Sequence, residues 1–412
     1  MIKNDYGHLN APYYLEKLKN GAEIYVIPRK SDTCNVTVLV SKGSYQNNNS
    51  AVKIPFGTAF YLSNVLFDEK FKKEQAKKNI MATNEVSYSY STYTLTSNGE
   101  DLFPSLEEVM KRISSPSYKE EDVEAFRTLD EERIKKEEND PVLNLEKYCV
   151  KGLYFTSGIQ NGVYPSSRQG TQIHASALKR FQQLYYTPSR IAIFFSGNVN
   201  PKEIIAKLKT LPFPAVSSFK EEEYRNEENY EKACEELLEV KGNNKSYLSY
   251  GIKFPARKVI YDAFGEAMFY SYEMMVDLLF KKNPYFLSSI ADLRSELLDV
   301  KLVEAGEDCY LLLSFRSESY AEVTNFMANY LSKLTKKISS SFYERVQSEY
   351  YAKNLGMLYS PYLLSTQYAR CYPNHISYPS VVCHTLRLSY SAFKKLLEQI
   401  KTFPRACSIY KK

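Results

Sequence analysis

The sequence predicts an α+β protein built twice over: two duplicated domains, each an antiparallel-rich sheet covered by helices. Three observations predict it. Strand-like and helix-like segments follow one another without the strict alternation of a parallel α/β chain. Segments of the first half recur in the same order in the second. The 412 residues suffice for two domains of ordinary size, and 44% hydrophobic with 25% charged residues is a globular composition.

The elements read as follows. Asn20-Gly21 is a strong turn pair, and the alternating stretch Ala22–Ile27 after it reads as a strand. Cys34–Val40 is a second strand. Gly57–Phe67 is a mostly apolar helix. Thr83–Thr96, rich in Ser, Thr and Tyr, reads as one strand. In Pro104–Ile113 the side chains of Leu106, Val109, Met110 and Ile113 fall on one helical face. Lys119–Asn139 is a long charged helix that ends near Pro141. Ser176–Tyr186 is a helix with Ser176 as its N-cap, and it leads into the apolar strand Ile191–Phe195 and Gly197. Pro201 opens a further short helix.

Between Pro214 and Glu236 the composition shifts to prolines and serines, then to dense Glu, which marks a linker. The expected organisation is a domain over 1–213, a linker over 214–236 and a second domain over 237–412. The repeat supports it. Ser176-Ala-Leu-Lys-Arg-Phe is echoed by Ser391-Ala-Phe-Lys-Lys-Leu, and Arg190 before its strand by Arg405 before Ala406–Tyr410, at one common shift. The strand text Tyr93–Ser97 before a helix matches Tyr310–Ser314 before the helix Tyr320–Leu334 at a shift two residues larger.

Composition excludes several function classes. A net charge of +6 with no Arg-rich block gives no nucleic-acid footprint. Met1–Tyr14 holds no apolar run of signal-peptide type, and the apolar stretch Val259–Phe280 carries Asp262, Glu266, Glu273 and Asp277, which speaks against a membrane span. The seven cysteines, Cys34, Cys149, Cys234, Cys309, Cys371, Cys383 and Cys407, are scattered and odd in number, the pattern of reduced thiols in a cytoplasmic protein. No Gly-x-Ser-x-Gly elbow and no Gly-rich phosphate loop is present.

Several stretches resemble the M16 metallopeptidase family, which includes insulin-degrading enzymes, pitrilysin and the mitochondrial processing peptidases. They are Leu18-Lys19-Asn20-Gly21 before a strand, Gly57-Thr-Ala-Phe-Tyr-Leu-Ser-Asn-Val-Leu-Phe67, Gly170-Thr171, Tyr185-Tyr186-Thr-Pro188, and Phe195-Ser-Gly197-Asn-Val-Asn-Pro201. The resemblance spans the first half and is weaker over the second. It implies a duplicated fold and a zinc helix carrying His-x-x-Glu-His. In that motif two imidazoles four apart bind one metal, and the Glu serves as base for the metal-bound water.

Here the motif positions match Phe60, Ser63 and Asn64, and the distant third ligand matches Arg133, with Glu131 and Glu132 beside it. A phenyl ring offers no donor atom, an amide substitutes poorly for imidazole, and a guanidinium repels a divalent cation. The helix contains no His at all. The chain's four histidines are His8, His174, His375 and His384; Cys371 and His375 are four apart but Pro373 interrupts them, and Cys383 adjoins His384. The expectation is therefore no catalytic residue, no metal and no cofactor.

The resemblance also implies a peptide-binding strand, Thr83–Ser87, with Asn84 and Glu85, and a second-domain segment Leu293–Leu297 in which Arg294 contacts substrate. A Tyr expected seven residues on is Lys301. An ion pair with Glu296 or Asp292 is the simpler role for Arg294. Together these features imply a catalytically inactive M16 homologue, the peptide-binding or scaffolding subunit of a heterodimer whose partner is a zinc peptidase with His-x-x-Glu-His. The alternatives are a structural or binding protein that has left proteolysis, and an enzyme of unfamiliar mechanism.

Overall fold

Strands in this chain carry apolar residues on one face and small polar residues on the other, and the fold covers both. The computed structural model describes residues 1–6, 9–45, 52–217, 232–243, 246–254, 271–305 and 308–411. His8, much of the expected linker and the first part of Val259–Phe280 lie outside the described residues. Two compact units emerge. Unit 1 comprises Met1–Glu132, Val163–Glu223 and Asn354–Ser380; unit 2 comprises Arg133–Gly162, Tyr224–Lys353 and Val381–Lys412.

Unit 1 holds β1 (Ile2–Asn4), β2 (Tyr13–Lys17), β3 (Glu23–Pro28), β4 (Thr33–Val40), β5 (Ile80–Val86), β6 (Ser91–Asn98) and β7 (Ile191–Gly197), in the order β1-β2-β3-β7-β4-β6-β5. Unit 2 holds β8 (Leu237–Lys241), β9 (Tyr247–Phe254), β10 (Glu296–Ala305), β11 (Asp308–Arg316) and β12 (Arg405–Lys411), in the order β10-β11-β9-β12-β8. Reversed, the second order reads β8-β12-β9-β11-β10 and corresponds strand for strand to β3-β7-β4-β6-β5. β3 runs parallel to β7 and β8 parallel to β12, and every other pairing is antiparallel. The matched segments of the sequence repeat occupy equivalent strands, β6 with β11 and β7 with β12.

The first half supplies α1 (Thr58–Leu66), α2 (Glu69–Ala76), α3 (Phe103–Ser114), α4 (Glu120–Asn139), α5 (Pro141–Leu153), α6 (Ser167–Gly170), α7 (Ala175–Tyr185) and α8 (Pro201–Leu208). Strand periodicity decides what each sheet face meets. Val36, Val38 and Val40 of β4 and Ile191, Ile193 and Phe195 of β7 join Leu62, Leu106 and Leu178 in one core. The alternate residues meet a helix from late in the chain, Pro361–Cys371. Ser196 donates to the Pro361 carbonyl at 2.6 Å, Ser365 donates to Asn35 Oδ1, and Phe194 packs on Tyr368 with ring centroids 6.3 Å apart.

Unit 2 repeats the scheme with α5. Leu248, Tyr250 and Ile252 of β9 enter its core, while Gly251 and Ser408 turn the other way. Ser408 donates to the Leu145 carbonyl at 2.6 Å and the Cys149 thiol to the Ala406 carbonyl at 3.4 Å. A Cβ at Gly251 would stand 2.8 Å from both Cys149 Sγ and Leu153 Cδ1, so this helix and strand touch at backbone distance.

Two expectations are corrected. Thr83–Thr96 is not one strand but the β5–β6 hairpin: the Ser87 hydroxyl accepts from the backbone N–H of Ser89 and Tyr90, an internal turn that Ser and Thr make as readily as strand. Ser176 is not the cap of α7. The helix begins at Ala175, whose N–H donates to the Glu120 carboxylate of α4 at 2.8 Å, a tertiary cap that local reading does not see. No helix among the described residues is long and apolar enough to cross a membrane.

Gly251→Val should force α5 off β9. Overpacking of this kind costs about 1–3 kcal/mol, so the melting temperature of the variant should fall by several degrees; an unchanged melt would refute the close approach.

Candidate functional site

α1 starts where only glycine fits easily. Gly57 takes φ +87°, and a Cβ there would stand 2.6 Å from the Pro165 ring. Thr58 donates to the Pro55 carbonyl at 2.6 Å to close the first turn. Tyr61, Leu62, Val65 and Leu66 face the core, and this rotation brings Phe60, Ser63 and Asn64 to the side that meets α4 and β5.

Phe60 packs edge-on against Phe126 of α4 and against Tyr164, with ring centroids 5.5 and 5.0 Å away. One turn later the polar atoms satisfy one another. Asn64 Nδ2 donates to the Phe60 carbonyl at 2.9 Å. Asn84 of β5 donates to Ser63 Oγ at 3.0 Å and to Asn64 Oδ1 at 3.2 Å. Below them Tyr93 and Tyr186 share a hydroxyl–hydroxyl bond of 2.7 Å. Burial pushes both phenols up, Tyr93 well above its ordinary value and Tyr186 to about 12, so both stay neutral hydroxyls near neutral pH. The structure therefore brings together Phe60, Ser63, Asn64 and Asn84, and holds them with neutral hydrogen bonds.

This donor set does not fit a zinc ion. Zinc takes thiolate, imidazole or carboxylate ligands, whereas the α1 turn offers a phenyl ring, a hydroxyl and one amide, the last two already bonded to the amide of Asn84 on β5. Among the described residues no group of three or more His, Cys, Asp or Glu could hold a metal. On α4, Arg133 pairs with Glu137 one turn on at 2.7 Å, and Glu137 also receives Lys147 of α5 at 2.7 Å. Glu131 and Glu132 are exposed. The acid that α4 takes inward is Asp130, 3% exposed, which the sequence reading missed. Its signal was available: Val123, Phe126, Asp130 and Ile134 form one helical stripe at spacings of three and four.

Glu85 is exposed on β5, which is the last strand of its sheet. Arg294 is exposed too, at φ +53°, just past the helix Pro284–Asp292; its N–H bonds to the Ala291 carbonyl and that of Ser295 to Ile290, a helix-ending motif that usually takes Gly. The expected ion pair to Glu296 is corrected: Glu296 bonds to Arg316, its cross-strand partner, at 3.0 Å, and among the described residues the Arg294 side chain makes no ion pair. Lys301 of β10 donates to both oxygens of the buried Glu146 of α5 at 2.9 and 2.7 Å, and Ser314 donates to the same carboxylate at 2.6 Å. His174 meets Glu120 at 3.0 Å. His375 follows the Pro361–Cys371 helix at φ +58°, and Cys383 and His384 sit on a separate helix, Tyr378–Thr385.

Glu137 supplies a pH test. Burial opposes its ionisation, but the bonds from Lys147 and Arg133 outweigh it and hold the carboxyl below the usual range. A carboxylate with a depressed folded pKa contributes stability above its unfolded value of about 4.3, and that contribution is lost as pH falls through the folded value. Glu137→Gln should therefore lower the melting temperature at pH 7, with the gap to wild type closing below about pH 4. An equal gap at both pH values would refute the pairing. For the neutral cluster, Asn84→Ala should cost about 1–3 kcal/mol in chemical denaturation, the price of leaving Ser63 and Asn64 short of a donor; a neutral variant would refute the network.

Comparison with known proteins bears on the fold and the kinship of the chain. The family model described as the Peptidase M16 inactive domain matches residues 172–272. A Bacillus subtilis (strain 168) protein named "uncharacterized zinc protease YmfH" is 26% identical over 263 residues, and the match covers 59% of this chain and 60% of that protein. Among solved structures, a protease from Helicobacter pylori has a TM-score of 0.80 at 17% identity, covering 96% of this chain and 99% of the other. A peptidase M16 inactive domain from Pseudomonas fluorescens has a TM-score of 0.79 at 12% identity, covering 97% and 98%. The likeness to the solved structures is one of fold; in sequence the chain is similar to the M16 peptidases over residues 172–272 and to a named zinc protease over 60% of that protein's length.

Proposed function

We propose that this chain is a non-catalytic M16 member, the peptide-binding or scaffolding subunit of a two-chain zinc peptidase. One observation carries the reading: the α1 turn presents Phe60, Ser63 and Asn64, and their polar atoms bond to Asn84 and to α1 itself. Such a turn has no base to activate water and no ligand pair to hold zinc. The partner in this reading is an M16 chain that keeps His-x-x-Glu-His.

The peptide site proposed is the free side of β5. An edge strand offers unpaired backbone groups, and an added strand gains main-chain hydrogen bonds with little demand on sequence. Asn84 anchors that strand to α1, and Glu85 faces outward beside it. Arg294 is proposed as the second-domain contact for a peptide carbonyl or carboxylate, and Lys301, held by Glu146, as a charge in the wall behind it. The two sequence repeats are proposed to run over 1–213 and 237–412 with 214–236 between them, in a cytoplasmic protein.

The test is purification of the native protein from its source. The expected result is co-elution with a second M16 chain that carries the zinc motif. The pair should show chelator-sensitive peptidase activity, and this chain alone should show none and hold no stoichiometric zinc. Zinc bound one-to-one by the isolated chain, or peptidase activity of the isolated chain, would overturn the reading. A purified chain that never associates with another M16 protein would favour a binding protein outside proteolysis.

A further inference from the structure

At the junction of α4 and α5, unit 2 forms an open cleft of about 630 Å³ that the peptidase reading leaves without a role. Three cationic side chains line it: Lys135 and Lys136 from the last turns of α4, and Arg316 from the end of β11. Apolar surface comes from Val142, Leu298 and the ring of Tyr247.

Local structure explains why these groups meet. Arg316 and Tyr247 are cross-strand partners, and the guanidinium lies 5.8 Å from the tyrosine ring centroid. β10 carries a bulge between Leu297 and Asp299, so Leu298 is the extra residue and is turned to line the cleft. Bulges re-aim single side chains in this way and concentrate beside binding sites. Lys136 is exposed and, among the described residues, makes no ion pair.

The chemistry selects the ligand. Cations beside an apolar wall suit an anion attached to an apolar body. Backbone amides at the start of α5 would suit a phosphate, but the Asp140 carboxylate already accepts from the N–H of Val142 and Leu143 at 2.8 and 3.1 Å, and Asp140 is itself one of the lining residues. A fixed negative charge there disfavours a dianion and tolerates a singly charged carboxylate. We propose that the cleft binds peptide carboxylates, from Asp or Glu side chains or a C-terminus, flanked by large apolar residues. Glu296, which pairs with Arg316 at 3.0 Å, occupies part of that role when no ligand is bound. The proposal does not depend on the β5 reading, because every lining residue belongs to unit 2 and β5 belongs to unit 1.

The test uses the full chain and two fluorescein-labelled peptides, one alternating Glu with Leu and one alternating Gln with Leu, followed by anisotropy. The Glu peptide should bind at least about ten-fold more tightly than the Gln peptide, and weaken between about 20 mM and 300 mM salt. Lys136→Glu should cost about ten-fold with an unchanged melting temperature, because that side chain is exposed and makes no ion pair among the described residues; Arg316→Gln, which sets no like charge against Glu296, should also cost about ten-fold. Glu296→Gln should tighten binding by releasing Arg316, an effect that a merely structural role for the pair would not produce. Equal binding of the two peptides, no binding of either, or variants that bind like wild type would overturn the proposal. Full displacement of the Glu peptide by millimolar inorganic phosphate would overturn it in favour of a phosphate site.

Discussion

A sheet buried on both faces needs two covers, and in this chain the second cover of each sheet comes from the far part of the sequence. β7 is buried at every residue from Ile191 to Gly197. One face is supplied by α1, α3 and α7, and the other by Pro361–Cys371. In unit 2, α5 from the first half lies on β9 and β12. Deleting either helix would bare Asn35, Thr37 and Ser196 on one sheet or Ser249, Gly251 and Ser408 on the other. These are residues too small and polar to form a core alone, yet they need hydrogen-bonding partners once covered. Each repeat is thus incomplete as a folding unit, and the two halves of the sequence are bound to fold as one cooperative chain.

That constraint places the site. α1 is fixed on one side by the core and at its start by Gly57 against Pro165. Its remaining face meets Phe126 on α4 and Asn84 on β5 whatever residues occupy it. A relative with imidazoles and a carboxylate on this face has a metal position. Here the same backbone yields an aromatic cluster and a closed amide–hydroxyl network. A fold comparison reads the backbone and the chemistry of this face reads its side chains, so the two report on different things.

Much of this was legible from the residues. Strand alternation in β4 and β7, the apolar helix after Gly57, and the repeated order of segments need only local spacing, and the sheets reproduce them. That Phe60, Ser63 and Asn64 lie side by side was legible because they ride on one helix. What escaped was tertiary. The Glu120 cap of α7 comes from another helix, the Arg316–Glu296 pair is set by strand register, and the Lys301–Glu146 bridge joins residues 155 apart. The sequence shows that Arg294 has acids nearby, but which acid it meets depends on a sheet pairing that no local pattern encodes. The hairpin inside Thr83–Thr96 was hidden because Ser and Thr serve turns and strands alike.

The hydrogen-bond network at Ser63 and Asn84 argues for how such a chain persists. Stripping the metal from a ligand set leaves buried imidazoles and carboxylates that repel or lack partners, a costly arrangement. Replacing the set with Phe60 in an aromatic cluster and with amides that satisfy one another removes that cost. Asn84 also ties α1 to the edge strand β5. On the proposed reading, the strand edge that presents peptide to a catalytic partner is the one that Asn84 ties to α1.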